Sequence, residues 1–203
     1  MLDILSIEYG LKSSGMDMGK PSTMLRLNGC NLHCRGCRKM WDKSSQMENQ
    51  EIVDNISILG CKNLVITGGE PLCQRMQLVD LLRLLDEYRV TIESNGTLSA
   101  RLIEDFVDIW DITLKLESSG QRKTYREKSR TIKDFALMKN AYFCFEIRKH
   151  NDMYEVSQLQ KRYGFDTNNM MLIVYDLLLK DMVYEFAKNK GISFQIPLEF
   201  QIR

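Results

Sequence analysis

Leu64-Val65-Ile66-Thr67-Gly68-Gly69-Glu70-Pro71 is followed by leucines at 78, 81, 82 and 85, and then by Val90-Thr91-Ile92. A short β-branched run, a glycine turn, leucines at helical spacing and a second apolar run make one βαβ unit. The same alternation extends both ways. Upstream, Met24-Leu25-Arg26-Leu27 reads as a strand, and Ile52, Val53, Ile56 and Leu59 as one helix face. Downstream, Leu102 to Val107 reads as a short helix and Ile109 to Leu114 as a strand. Ile132, Phe135 and Ala136 precede a strand from Tyr142 to Ile147. Met153, Val156 and Leu159 mark a helix before the sixth strand, Met170 to Val174. Met182, Val183 and Phe186 mark the last long helix, before a final strand from Ile192 to Ile196. Periods that switch between 2 and 3.6 imply parallel strands joined by helices, an α/β fold. A full eight-unit barrel needs about 250 residues, and six units of roughly 30 residues need about 180. The length of 203 residues therefore suits a partial, open βα barrel with about six parallel strands, or a doubly wound sheet.

Composition sets outer limits. Hydrophobic residues are 44% and charged residues 27%, with 28 basic against 27 acidic side chains. These values exclude a disordered chain and a fibrous repeat. A net charge of +1 excludes a strongly basic nucleic-acid stripe, and no nucleic-acid partner is expected. No run approaches the ~18 apolar residues of a membrane span. The start, Met1-Leu2-Asp3-Ile4-Leu5, lacks a basic region followed by a small-residue cleavage site, so a cytoplasmic, reducing setting is expected. Three prolines and no Gly/Ser linker point to one domain over 1–203. Six cysteines in such a setting are ligands or small hydrophobes rather than disulfides.

Both candidate folds hold ligands beyond the carboxyl ends of their strands. The segments there are Cys30 to Cys37, Gly68-Gly69-Glu70-Pro71, Glu93-Ser94-Asn95-Gly96-Thr97, Lys115, and Arg148-Lys149-His150. They hold most of the glycine-rich and reactive stretches. Cys30, Cys34 and Cys37 are spaced C-x3-C-x2-C. Four thiolates would fill a zinc site or close every iron of a [4Fe–4S] cubane. Three leave one iron open to chelate the amino and carboxylate groups of S-adenosylmethionine (SAM). The alternatives are zinc, with His33 or Cys73 as a fourth ligand, and unliganded thiols. His33 lies between two of the cysteines, too close to complete a tetrahedron easily. Cys61, Cys73 and Cys144 lack metal spacing and read as small buried hydrophobes.

Arg26-Leu27-Asn28-Gly29-Cys30-Asn31-Leu32-His33-Cys34-Arg35-Gly36-Cys37 resembles the cluster loop of the radical SAM superfamily. Ile66-Thr67-Gly68-Gly69-Glu70-Pro71-Leu72 resembles its SAM-binding GGEP motif, in which two glycines admit the methionine end of SAM. Ile92-Glu93-Ser94-Asn95-Gly96-Thr97 is similar to a segment of the 7-carboxy-7-deazaguanine synthase family. So are Gly19-Lys20-Pro21 before Arg26, the stretch Ile112 to Gly120, and Ser193-Phe194-Gln195. The resemblance implies a partial barrel of radical SAM type, with an N-terminal strand and substrate loop over 1–22 and a cluster loop over 30–48. It implies Cys30, Cys34 and Cys37 as the metal ligands that carry catalysis. Gly36 and Arg38 lie beside the cofactor, and Gly68, Gly69 and Glu70 hold the methionine end. Glu93, Ser94 and Asn95 approach the ribose, with Thr113 and Lys115 against the nucleoside. Arg26 meets a substrate carboxylate, Thr67 faces the substrate, and Lys12 and Ser14 are further substrate candidates.

The implied reaction is reductive cleavage of SAM, hydrogen abstraction from 6-carboxy-tetrahydropterin, ring contraction and loss of ammonia, with SAM regenerated. The partners implied are this small molecule and a low-potential electron donor such as flavodoxin or ferredoxin. The family is commonly dimeric, although the sequence carries no dimer signal of its own. The departures fall on the substrate side. Lys12-Ser13-Ser14-Gly15 stands where the family has Q-G-E-G. Cys37-Arg38-Lys39 stands where the family has C-D-T, whose Thr serves a Mg²⁺. Two cations repel a divalent ion, so no Mg²⁺ requirement is expected. Cys34-Arg35-Gly36-Cys37 with Trp41 also resembles the activases of glycyl-radical enzymes, against which the Glu93–Thr97 segment stands. A zinc-stabilised interaction module is the non-enzymatic alternative.

Overall fold

The βαβ unit read from residues 64–92 forms in the computed structural model, which describes residues 1–37 and 43–201. The strands are β1 (Leu2–Leu11), β2 (Pro21–Leu27), β3 (Ser45–Met47), β4 (Asn63–Gly68), β5 (Arg89–Ser94), β6 (Ile109–Thr113), β7 (Ala141–Ile147), β8 (Met170–Val174) and β9 (Ser193–Gln195). The helices are α1 (Asn49–Ile58), α2 (Arg75–Leu82), α3 (Lys123–Arg126), α4 (Ser129–Ala136), α5 (His150–Tyr163), α6 (Lys180–Lys190) and α7 (Leu198–Gln201). One sheet has the order β3-β1-β2-β4-β5-β6-β7-β8-β9. Pairing is antiparallel at β1 with β2 and β3, and parallel from β2 through β9. Seven of the described strands are therefore parallel, against about six expected, and the last of them is the final strand read over 192–196, shortened to Ser193–Gln195 beside β8.

Two readings need correction. The expected helix from Leu102 to Val107 is only a 3-10 turn, Glu104–Phe106. Ile103 and Val107 are buried at helical spacing, but Leu102 takes a φ of 87°, which no right-handed helix continues through. The end of the stretch read as cluster loop, 30–48, contains β3, which pairs Ser45–Met47 against Leu2–Ile4.

The two faces of the sheet differ in chemistry. Leu25, Leu27, Leu64, Ile66, Ile92 and Ile112 turn outward into the main apolar core. Helices supply the other half of that core, with Ile52 and Ile56 from α1, Leu78 and Leu81 from α2, and Val156 and Leu159 from α5. Alternation sends the intervening residues to the concave face. There Arg26 pairs with Thr67, Glu93 with Asp111, and Thr113 with Cys144. The gap of the open barrel is crossed by the loop 12–20. Gln195 at the end of β9 exchanges two hydrogen bonds with Gly15, accepting from its N–H at 2.9 Å and donating to its carbonyl at 3.0 Å. The Leu198 N–H donates to the Ser13 carbonyl at 3.0 Å. Among the described residues no helix is long and apolar enough to cross a membrane.

Candidate functional site

The concave face, the cluster loop and the loop 12–20 enclose a cavity of about 510 Å³. Thirteen of the residues given a site role from the sequence line it. Cys30, Cys34, Gly36 and Cys37 form one wall. Gly68, Gly69, Ser94 and Asn95 form the next, and Thr67 and Glu93 lie deeper. Thr113 and Lys115 stand on the β6 side, and Ser14 comes from the loop 12–20. Glu70, Arg26 and Lys12 do not line the cavity. Arg38, Lys39 and Trp41 lie outside the described residues.

The cysteine loop is held by backbone contacts to its neighbours and by its own Asn31 side chain. The Cys37 N–H closes a turn on the Cys34 carbonyl at 3.2 Å, and the Arg35 N–H donates to the Ser119 carbonyl at 2.7 Å. The Gln121 amide donates to the His33 carbonyl. Asn31 joins the loop to the strand end after β5, accepting from Asn95 Nδ2 at 2.9 Å and donating to Thr97 Oγ1 at 2.7 Å. Cys30 and Cys34 are half-buried and Cys37 is exposed. Burial pushes the Cys34 thiol up, and Lys115 opposes that rise. Among the described residues no three His, Cys, Asp or Glu side chains converge on one ion. His33, the nearby zinc candidate, is exposed. Of the other cysteines only Cys144 is buried, whereas Cys61 is half-buried and Cys73 exposed. Cys73 sits in the 3-10 turn after Glu70 and Cys61 just before β4, at the ends of elements rather than in their cores.

The glycine pair serves a close approach, but to backbone. Gly68 adopts a φ of 107°, and a Cβ there would overlap the Leu27 backbone. A Cβ on Gly69 would overlap the Gly29 carbonyl. The Gly69 N–H donates to the Leu27 carbonyl and the Glu70 N–H to the Gly29 carbonyl, each at 2.8 Å. The turn after β4 is thereby stitched to the start of the cysteine loop. Glu70 is fully buried. Its carboxylate accepts from the Leu72 N–H at 3.1 Å, Ser94 Oγ at 2.9 Å and the Asn95 N–H at 2.7 Å. Burial pushes this carboxyl up against those three bonds. In this structure Glu70 shapes the Ser94–Asn95 wall from behind.

On the β5–β6 side one ammonium serves two carboxylates. Lys12 Nζ lies 2.5 Å from Asp111 Oδ2 and 3.0 Å from Glu93 Oε1, and donates to the Ser14 carbonyl at 2.6 Å. The Met16 N–H donates to Asp111 at 3.1 Å, and Thr67 Oγ1 to Glu93 Oε2 at 2.6 Å. Asp111, buried and facing Glu93, is pushed up to about 6, while Lys12 and Thr67 hold Glu93 below the usual carboxylate range. Two carboxylates with one cation divide in this way. Arg26 Nε lies 2.6 Å from Glu8 Oε1 in a half-exposed pair, and its charge also helps to hold Glu93 down.

The β6–β8 side carries a group that motif reading did not assign. Lys115 Nζ donates to Glu146 Oε1 at 3.2 Å. Arg148 donates to Glu146 Oε2 from Nη2 at 3.0 Å and Nε at 3.3 Å. Its guanidinium lies 4.4 Å from the centroid of the Tyr175 ring. Burial works against the charge of Lys115, but Glu146 more than restores it. Both cations hold Glu146 down against burial. Burial and Glu146 push the Tyr175 hydroxyl up to about 12. The signal available in the sequence was position: residues 146 and 148 alternate at one strand end, with residue 175 at the next. His150, by contrast, is exposed at the start of α5.

A model of the radical SAM superfamily matches residues 24–187. The chain belongs to that superfamily. Among relatives of this radical SAM enzyme, the 7-carboxy-7-deazaguanine synthase of Hyperthermus butylicus is 35% identical over 221 aligned residues, covering 100% of this chain and 91% of the relative. The synthase of Clostridium acetobutylicum is 29% identical, covering 95% and 90%. The crystal structure of QueE from Escherichia coli shares the fold, with a TM-score of 0.76 at 18% identity over 96% of this chain and 93% of that one. The enzyme's donor set fits the superfamily's [4Fe–4S] cluster: three thiols on one loop at one cavity wall, none of them engaged by a metal-competing cation or disulfide among the described residues.

Proposed function

We propose that this chain is a 7-carboxy-7-deazaguanine synthase that acts, as a single unit over 1–203, on 6-carboxy-tetrahydropterin in the cytoplasm. One observation carries this reading: the cysteine loop, the glycine turn, the Glu93–Asn95 wall and Lys115 open on one cavity. Cys30, Cys34 and Cys37 would hold a [4Fe–4S] cluster, which supplies the electron for reductive cleavage of SAM. The Gly68–Gly69 turn and Asn95 would bound the methionine end and ribose, with Glu93 and Ser94 alongside. Thr113 and Lys115 would flank the nucleoside, and Thr67 and Ser14 the substrate. Lys12 and Glu70 act through others, Lys12 by tying the loop 12–20 to Glu93 and Asp111, Glu70 by fixing Ser94 and Asn95. A flavodoxin or ferredoxin would deliver the electron, and the active form would be a homodimer. The Arg38-Lys39 pair supports catalysis without Mg²⁺.

The test is anaerobic incubation of the reconstituted enzyme with SAM, reductant and 6-carboxy-tetrahydropterin, with and without Mg²⁺. Formation of 7-carboxy-7-deazaguanine at the same rate in both arms is expected. Cleavage of SAM that ignores the pterin would contradict the substrate, and dependence on Mg²⁺ would contradict the metal reading.

A further inference from the structure

Resemblance assigns the substrate carboxylate to Arg26, yet Arg26 does not line the cavity and its Nε is engaged by Glu8 at 2.6 Å. The cavity does have an arginine aimed into it. Glu146 takes one edge of the Arg148 guanidinium, Nε and one Nη2 hydrogen. The Tyr175 ring covers one face. The remaining edge, Nη1 with the second Nη2 hydrogen, is a two-donor fork of the kind that binds a carboxylate through two parallel bonds. Nη1 makes no hydrogen bond to the described residues, and it points towards the cysteine loop, 4.0 Å from where a Cβ on Gly36 would lie.

The charges around it favour an anion. Lys115 and Arg148 share the carboxylate of Glu146, and with Arg35 and Glu199 also lining the cavity three cations stand against two carboxylates on this side. Glu199 lies near enough to Tyr175 to raise its hydroxyl. The opposite wall, with Glu93 and Asp111 on Lys12, has the reverse balance. A ligand with a carboxylate at one end and a hydrogen-bond-donating amino edge at the other fits this polarity.

We propose that the free edge of Arg148 binds the carboxylate of the substrate and so selects carboxylated pterins over uncarboxylated ones. This rests on the synthase reading above. SAM brings a carboxylate of its own, but an open cluster iron chelates that group.

The test uses the anaerobically reconstituted holoenzyme and equilibrium binding of three probes: 6-carboxypterin, pterin without the carboxyl group, and SAM. Arg148→Gln is expected to weaken 6-carboxypterin at least tenfold while leaving pterin and SAM within threefold. Arg148→Lys, which keeps the charge but loses the fork, should fall between. Arg26→Gln should leave 6-carboxypterin within threefold. The proposal is overturned if Arg148→Gln weakens SAM instead, or weakens both pterins equally, or changes nothing. It is overturned equally if Arg26→Gln causes the larger loss. A wild-type enzyme that binds SAM but not 6-carboxypterin would overturn the synthase reading together with this inference. Selective failure of the variants alone would overturn only the inference.

Discussion

At the scale of single residues, the site depends on atoms that are missing. Gly69 has no Cβ because the Gly29 carbonyl occupies that space. Two backbone hydrogen bonds at 2.8 Å then fix the cysteine loop against the end of β4. Gly69→Ala should separate these segments. Overpacking of this kind costs roughly 1–3 kcal/mol, and thermal unfolding of the cluster-free protein should show a lower midpoint. The same variant should bind fewer irons per chain on reconstitution. An unchanged midpoint with full iron content would mean that the close approach is not needed. The sequence made the glycine pair visible as a motif but not its neighbour. Gly29 lies forty positions earlier, and only strand pairing brings β2 beside β4.

At the scale of elements, the loop 12–20 is a strap across an open barrel. It is fastened at one side by Gln195 and at the other by Lys12 with Glu93 and Asp111. The second fastening carries a pH signature. The fold raises Asp111 from 3.8 to about 6, so folding favours its neutral form. A raised carboxyl contributes stability that is full below its unfolded pKa and drains away as pH rises through the folded one. Wild type should therefore lose stability relative to Asp111→Asn between about pH 4 and pH 6, with a plateau above. The size is on the order of 1–3 kcal/mol, at 1.36 kcal/mol per unit. Chemical denaturation of both proteins across that range measures it. A difference that grows in favour of wild type as pH rises would contradict the shared-lysine arrangement. The repeating elements were readable because strands buried on both faces give unbroken apolar runs such as Leu64–Ile66. The strap was not readable as a strap, since its contacts span 180 residues and no local period encodes them. β3 escaped for a different reason: Ser45-Gln46-Met47 is too short and polar for a strand signal.

For the whole molecule, the strand-end rule placed most of the site. Parallel strands send their carboxyl ends to one rim, so the motifs after β2, β4, β5 and β6 had to converge there. What the rule could not decide was which side chains face inward and which are already occupied. Arg26 and Glu70 carry the right motif positions, but Arg26 is paired with Glu8 and Glu70 is fully buried among donors. Arg148 and Tyr175 carry no motif, yet they face the cavity. The molecule-wide claim is that the three loop cysteines present an open iron to SAM. Electron paramagnetic resonance of the anaerobically reconstituted, reduced protein, titrated with SAM, tests it most directly. One [4Fe–4S] signal per chain that changes shape on adding SAM, and that is lost on Cys34→Ala, is the expected result. A protein that takes up zinc without sulfide, or a cluster signal indifferent to SAM, would contradict it.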